Sequence, residues 1–304
     1  SSTVNATTLT LSDTTGTITF TGALTATTLT TAVKAYNIAI NGGSTITNAA
    51  TFSNSGTLTL AGTTTFTAGI TATAPSQVNI GGTVQSTNTA ISIGDSDTPI
   101  VLTANSTISG NTSGNITLGG TINGAYTLDV NTTGTTTFSG VIGGSTPLTS
   151  VTTNTGGTVV INTTAITTTG AQTFGENVTL GADVTLTASI TGNISFAGTI
   201  ESTSLARALT VNTYGITTFS GTVGATLPYL ASVTTNAGGS TAINGGSVRT
   251  TGAQTYGDNV TLGADTTLTA LTTSFAGTLN STTSARDLTF GTGSGNVTFT
   301  GAVG

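Results

Sequence analysis

Residues 168–188 read TTGAQTFGENVTLGADVTLTA, and residues 250–270 read TTGAQTYGDNVTLGADTTLTA. The two stretches lie 82 residues apart and agree at 18 of 21 positions; the changes are Phe174 to Tyr256, Glu176 to Asp258 and Val184 to Thr266. Each contains the triplet VTL. Alternate residues of a strand face opposite ways, so its Val and Leu share one face and its Thr takes the other. Triplets of this kind recur along the chain: LTL (9–11), ITF (18–20), IAI (38–40), LTL (58–60), VNI (78–80), ISF (194–196) and LTV (209–211). Gly and Asn cluster between them, where a positive φ is cheap. No window has a period of 3.6, and Thr and Gly are poor helix formers, so the reading is all-β.

Longer phrases repeat as well. A Leu-x-x-x…Phe-x-Gly unit starts at Leu9, Leu128, Leu209 and Leu288, at spacings of 119, 81 and 79. SFAGTI (195–200) returns as SFAGTL (274–279), and AINGGS stands at both 39–44 and 242–247. Repeats at a fixed period signal a stacked architecture. Modules of about 80 residues result, at approximately 9–127, 128–208, 209–287 and a partial 288–304, built from coils of roughly 20. Antiparallel hairpins in a sandwich are the alternative. Very short strands, a coil length near 20 and the return of one residue type at one coil position favour a single continuous parallel β-solenoid over 1–304. It is expected to have about fifteen coils, rising about 4.8 Å each, and to form a rod roughly 70 Å long. On this reading the echo spans about four coils. Phe20, Phe138, Phe219 and Phe299, with Phe196 and Phe275 of the SFAG phrases, are expected in an interior ladder.

Composition narrows the function. Thr supplies 83 of 304 residues and Gly 42, while only 5% are charged; a typical soluble domain has about 25% charged residues. The 35% apolar content and the β-branched Thr separate the chain from disordered sequences. There is no Cys, Met, Trp or His, which excludes disulfides, thiol chemistry and imidazole ligands. The net charge is −6, and Lys34, Arg207, Arg249 and Arg286 are too scattered to neutralise a row of phosphates, so no nucleic-acid partner is expected. No apolar run reaches the length of a membrane span. The opening SSTVNATTLT carries neither Met nor a signal-peptide pattern and reads as a mature or excised segment.

Candidate chemistry is sparse. Asp95 and Asp97 in IGDSDTPI (93–100) are the nearest pair of carboxylates; Pro99 and the polar neighbours favour a solvated loop over a weak calcium site or an acid–base pair. Glu176 and Asp258, and likewise Asp183 and Asp265, recur at matching positions and read as solubilising turn charges. Arg207 and Arg286 read as exposed turn charges whose stems lie on the rod. Tyr36, Tyr126, Tyr214, Tyr229 and Tyr256 are open to a sugar-stacking reading, with Tyr229 on an outer bend. Eleven Asn-x-Ser/Thr triplets, among them those at Asn105, Asn115, Asn177 and Asn259, follow largely from the abundance of Thr. No catalytic residue, resident metal or cofactor is assigned.

The ITTFSG, INGGS, NVTLGAD and LTLTA phrases, spread over essentially the whole chain, resemble the repeat regions of large bacterial surface and secreted proteins of the filamentous-haemagglutinin-like and autotransporter kind. The resemblance implies a right-handed parallel β-helix used as a stalk, adhesive shaft or matrix fibre, outside the cell or on its surface. The expected function is therefore a non-catalytic shaft of an adhesin-like filament, as in biofilm matrix. The alternative is a self-assembling subunit of an extracellular fibre or sheath; a polysaccharide-degrading β-helix is a more distant one. Expected partners are neighbouring repeats or other copies, end to end or laterally, and host or matrix glycans.

Overall fold

The computed structural model describes residues 3–12, 15–189 and 191–304. It is all-β with no helix, and its parallel sheets stack as a β-solenoid of about 14 turns of ~21 residues. The chain divides into two compact units, Ser1–Thr149 with Asn154–Gly157, and Ser150–Thr153 with Thr158–Gly304.

In the first unit each turn has three sides, and each side contributes an inward ladder. One ladder runs Val4, Leu24, Ser44, Thr64, Val84, Ile108, Val130. A second runs Ala50, Ile70, Ile91, Ile116, Thr136. The third runs Ile18, Ile38, Leu58, Val78, Ile100, Ile122, Ile142. The triplets make this possible because alternation sends both apolar residues inward: Ile38 and Ile40 are buried with Asn37 and Ala39 half-buried, and Ile91 and Ile93 are buried on either side of a half-buried Ser92. Each fully buried Ile or Leu contributes about 1.5–3 kcal/mol relative to exposure. The first turns keep a strict 20-residue step; Val84 to Ile108 takes 24, with one residue added on the way to Ile91, one on the way to Ile100 and two on the way to Ile108. Such insertions raise the mean turn above 20 residues and hold the turn number just below fifteen.

The second unit is built the same way. One side stacks Thr153, Phe174, Phe196, Phe219, Ile243, Leu262. The next stacks Val159, Val178, Ile200, Val223, Val248, Leu268, Phe290. The last stacks Ile166, Leu186, Val211, Thr235, Tyr256, Phe275, Phe299. Rings in register lie offset-parallel, a favoured aromatic geometry. Phe174 and Phe196 are 5.3 Å apart, Phe196 and Phe219 5.6 Å, Tyr256 and Phe275 5.0 Å, and Phe275 and Phe299 5.1 Å.

These ladders correct the expectation for the phenylalanines. Phe196 and Phe219 share one side of the second unit, whereas Phe275 and Phe299 share another. Phe20 and Phe138 stand on different sides of the first unit, in register with Ile40 and Leu118. Phe138, Phe196, Phe219 and Phe275 are buried. Phe20 is half-buried and Phe299 is 40% exposed, because each stands in a turn covered on one side only.

The echo is corrected too. From Phe174, three turns along the ladder reach Ile243, and two further sides lead through Val248 to Tyr256. The repeat therefore spans three turns and two sides rather than four whole turns. Phe196 to Phe275 and Phe219 to Phe299 make the same step. The sides are near-equivalent units of a triplet plus a corner, so a copied phrase fits any of them. At one corner three glycines stack closely: a Cβ on Gly245 would run into the Gly221 carbonyl, and one on Gly221 into the Gly198 carbonyl.

Candidate functional site

The polar chemistry of the chain is concentrated at the corners, where it takes two forms. The first is an asparagine staple. The Asn177 Oδ1 accepts the Thr199 N–H of the next turn at 2.9 Å, and in the second copy Asn259 accepts from Thr278 at 2.9 Å. Asn37 accepts from Thr57 at 2.8 Å, Asn115 from Thr135 at 2.9 Å, and Asn193 from Ile216 at 2.9 Å. Corner amides that the ladders leave over are thereby satisfied. The exposed Asp183 and Asp265 do likewise, accepting from Ala208 at 3.0 Å and Asp287 at 3.2 Å. Among the described residues, positive φ outside glycine is confined to Asn88 and Asn111, so most corner asparagines are selected for their side-chain oxygen.

The second form is buried. Glu176 and Asp258, expected as solubilising turn charges, are only 3% and 4% exposed. The period-2 alternation does not stop at the corner. Phe174, Glu176 and Val178 face inward while Gly175 and Asn177 do not, and Tyr256, Asp258 and Val260 repeat the pattern. The Asp258 Oδ1 accepts the Thr241 hydroxyl at 2.8 Å and the Thr235 hydroxyl at 3.2 Å, and its Oδ2 has no partner. Neither oxygen of Glu176 has one. The counterpart of Thr241 in that copy is Val159, which offers no hydroxyl. Burial pushes the Glu176 carboxyl up to about 7. It raises Asp258 as well, opposed by the Thr241 and Thr235 hydroxyls and its own backbone N–H.

Two buried glutamines complete this inner layer. The Gln172 Nε2 donates to the carbonyls of Ile166 and Thr187 at 3.1 and 2.9 Å, bridging successive turns of the neighbouring side. Gln254 does the same with Val248 and Thr269 at 2.9 and 3.1 Å.

The remaining sequence candidates lie apart. The Asp95 Oδ1 caps its own loop, accepting the N–H groups of Asp97 and Thr98 at 3.0 Å each. Among the described residues there is no group of three or more His, Cys, Asp or Glu able to hold a metal ion. Arg286 is exposed, while Arg207 is half-buried. Tyr36 is buried; its hydroxyl donates to the Leu11 carbonyl at 2.8 Å and accepts from the Ala32 N–H at 3.0 Å. Tyr256 lies in the aromatic ladder, and Tyr126 and Tyr214 are exposed. Tyr229 is half-buried beneath Arg249, whose guanidinium carbon stands 3.8 Å from the ring centroid. Among the described residues no helix is long and apolar enough to cross a membrane.

Comparison of the chain with protein-family models, with curated proteins and with solved structures returned no match in any of the three.

Proposed function

We propose that the chain is a non-catalytic shaft segment of an adhesin-like filament, secreted or held at a bacterial cell surface, with binding to host or matrix glycans. The observation that carries this reading is the direction of the polar bonds. Asn37, Asn115, Asn177, Asn193 and Asn259 each tie one turn to the next along the stacking direction. Gln172 and Gln254 do the same from inside. Side chains that in an enzyme would converge on a substrate are here used to hold neighbouring turns together. A repeat that steps by sides also lets such a filament lengthen by copying short phrases. The resemblance of the ITTFSG and NVTLGAD phrases to filamentous-haemagglutinin-like repeats supports the same reading.

A second reading, a self-assembling subunit of an extracellular fibre or sheath, is favoured by the exposure of Leu205 and Leu227 at 61% and 77%. Electron cryo-microscopy of the native material, read with its mass on a denaturing gel, separates the two. Rods much longer than the turns described above, from a covalent chain much heavier than 29.5 kDa, support the shaft. Equally long rods from a chain near 29.5 kDa support the fibre subunit. Turnover of any polysaccharide by the purified chain would overturn both.

A further inference from the structure

Most corners of this solenoid carry Gly, Asn, Ser or Thr. One corner of the second unit adds large exposed apolar side chains to these. Its loop at 203–207 presents Leu205, 61% exposed, and the loop at 224–229 on the next turn presents Leu227, 77% exposed. The Ile200 to Val223 bridge and the Ala231 N–H donating to the Arg207 carbonyl at 2.7 Å set the two loops one above the other. The upper loop is held in place. Glu201 accepts the N–H groups of Ala225 and Thr226 at 3.1 and 3.0 Å, and the Thr226 hydroxyl at 3.0 Å. Its carboxylate is thus engaged with neutral donors. On the following turn the Arg249 guanidinium stands over the Tyr229 ring. Arg207 follows Leu205 by two positions, and Arg249 covers Tyr229, which follows Leu227 by two, so two of the four bases in the chain belong to this corner. An apolar patch with aromatic and arginine groups beside it has the composition of a protein-docking surface.

We infer that this corner docks a second copy of the chain, by receiving the Asp95–Asp97 loop of that copy's first unit. Charge selects the loop. In the sequence no other two acids stand within two positions of each other, and no base is near them. Asp97 is exposed. The loop is rigid as well as acidic: the Asp95 Oδ1 caps it, and the Thr98 hydroxyl donates to the carbonyls of Thr73 and Pro75 at 2.8 and 2.7 Å. Beside it, Pro99 offers an apolar ring to the leucines. The two surfaces are different, so the contact is heterologous and generates open assemblies rather than closed dimers. With 5% charged residues, little long-range repulsion opposes close approach of two copies. The inference is independent of the choice between shaft and fibre subunit, since both admit lateral contacts.

Sedimentation velocity of the whole chain over a range of concentrations and salt tests it, with circular dichroism to verify that each variant is folded. The wild type is expected to associate, more weakly at high salt. The pair Arg207→Glu with Arg249→Glu, and separately the pair Asp95→Lys with Asp97→Lys, should each weaken association by about tenfold or more. Leu205→Ser with Leu227→Ser should weaken it without changing its salt dependence. Mixing the two charge-reversed proteins should restore assembly, because each reversed surface then meets its complement on the other protein. A wild type that stays monomeric throughout, association untouched by either reversal, or reversed proteins that do not recover on mixing would each overturn the inference. Rod length and covalent mass, which test the shaft, are unaffected by these outcomes.

Discussion

Replacing Glu176 by Gln should remove a pH dependence that the wild-type solenoid carries. Glu176 is 3% exposed, with no partner for either oxygen. Burial moves its carboxyl from 4.5 to about 7. A shift of one unit is worth about 1.4 kcal/mol, so the group accounts for about 3 kcal/mol across its titration. The sign follows from proton counts. Between the two values the folded chain holds a proton that the unfolded chain has released, so raising the pH favours unfolding. The contribution is fully present below about 4.5, declines through the intervening range, and is lost above about 7. Gln cannot titrate, and any constant offset from its own unsatisfied amide is the same at every pH. The informative quantity is therefore the wild-type minus variant difference as a function of pH. Solenoids open locally, so the assay is amide hydrogen exchange at Val178 and Leu180 between pH 4 and pH 8.5, corrected for intrinsic rates. Protection in the wild type relative to Glu176→Gln should fall by a factor corresponding to about 3 kcal/mol as the pH rises. A flat difference, or one that grows toward alkaline pH, would refute the reasoning.

Three further outcomes are expected. Asn177→Ala and Asn259→Ala should each cost about 1 kcal/mol, with the loss of exchange protection centred on the Thr199 and Thr278 amides that they now hold. Phe196→Ala, which removes a ring stacked between Phe174 and Phe219, should lower stability by about 3–5 kcal/mol in urea unfolding, and Phe299→Ala by clearly less. Gly245→Ala should destabilise by about 1–3 kcal/mol because its new Cβ meets the Gly221 carbonyl, whereas Gly16→Ala, with nothing within 4 Å, should leave the melting temperature unchanged.

The triplets made the strand pattern legible: Val178 and Leu180 had to face one way, and a side this short had to be stacked on its neighbours. The number of sides per turn was not legible. A period of about 20 residues fits two long sides or three short ones equally well, and only pairing shows that Phe174 and Tyr256 occupy different sides. Glu176 and Asp258 read as solubilising charges because Gly-Glu-Asn and Gly-Asp-Asn look like solvated turns. Counting alternation outward from Phe174 and Tyr256 places both acids inside, and that signal was present in the sequence. In the sequence the asparagines read as turn formers. Their role as staples depends on which amide of the next turn lies opposite, a relation one turn away that no local pattern reveals.

The central claim, that phrases step by sides around a three-sided solenoid, is tested most directly by disulfide trapping, since the chain has no cysteine of its own. Outward neighbours on one ladder fall within the Cα separation that a disulfide requires, about 4.4–6.8 Å. Paired cysteines at Thr173 and Ser195, Ser195 and Thr218, Thr218 and Ala242, and Ala242 and Thr261 should each cross-link on oxidation. The ladder that begins at Thr173 then arrives at Thr261, and Thr255 cross-links instead with Thr234. Failure of the Ala242 and Thr261 pair, with a ladder from Thr173 that closes on Thr255, would mean that the echo spans whole turns and would contradict the account.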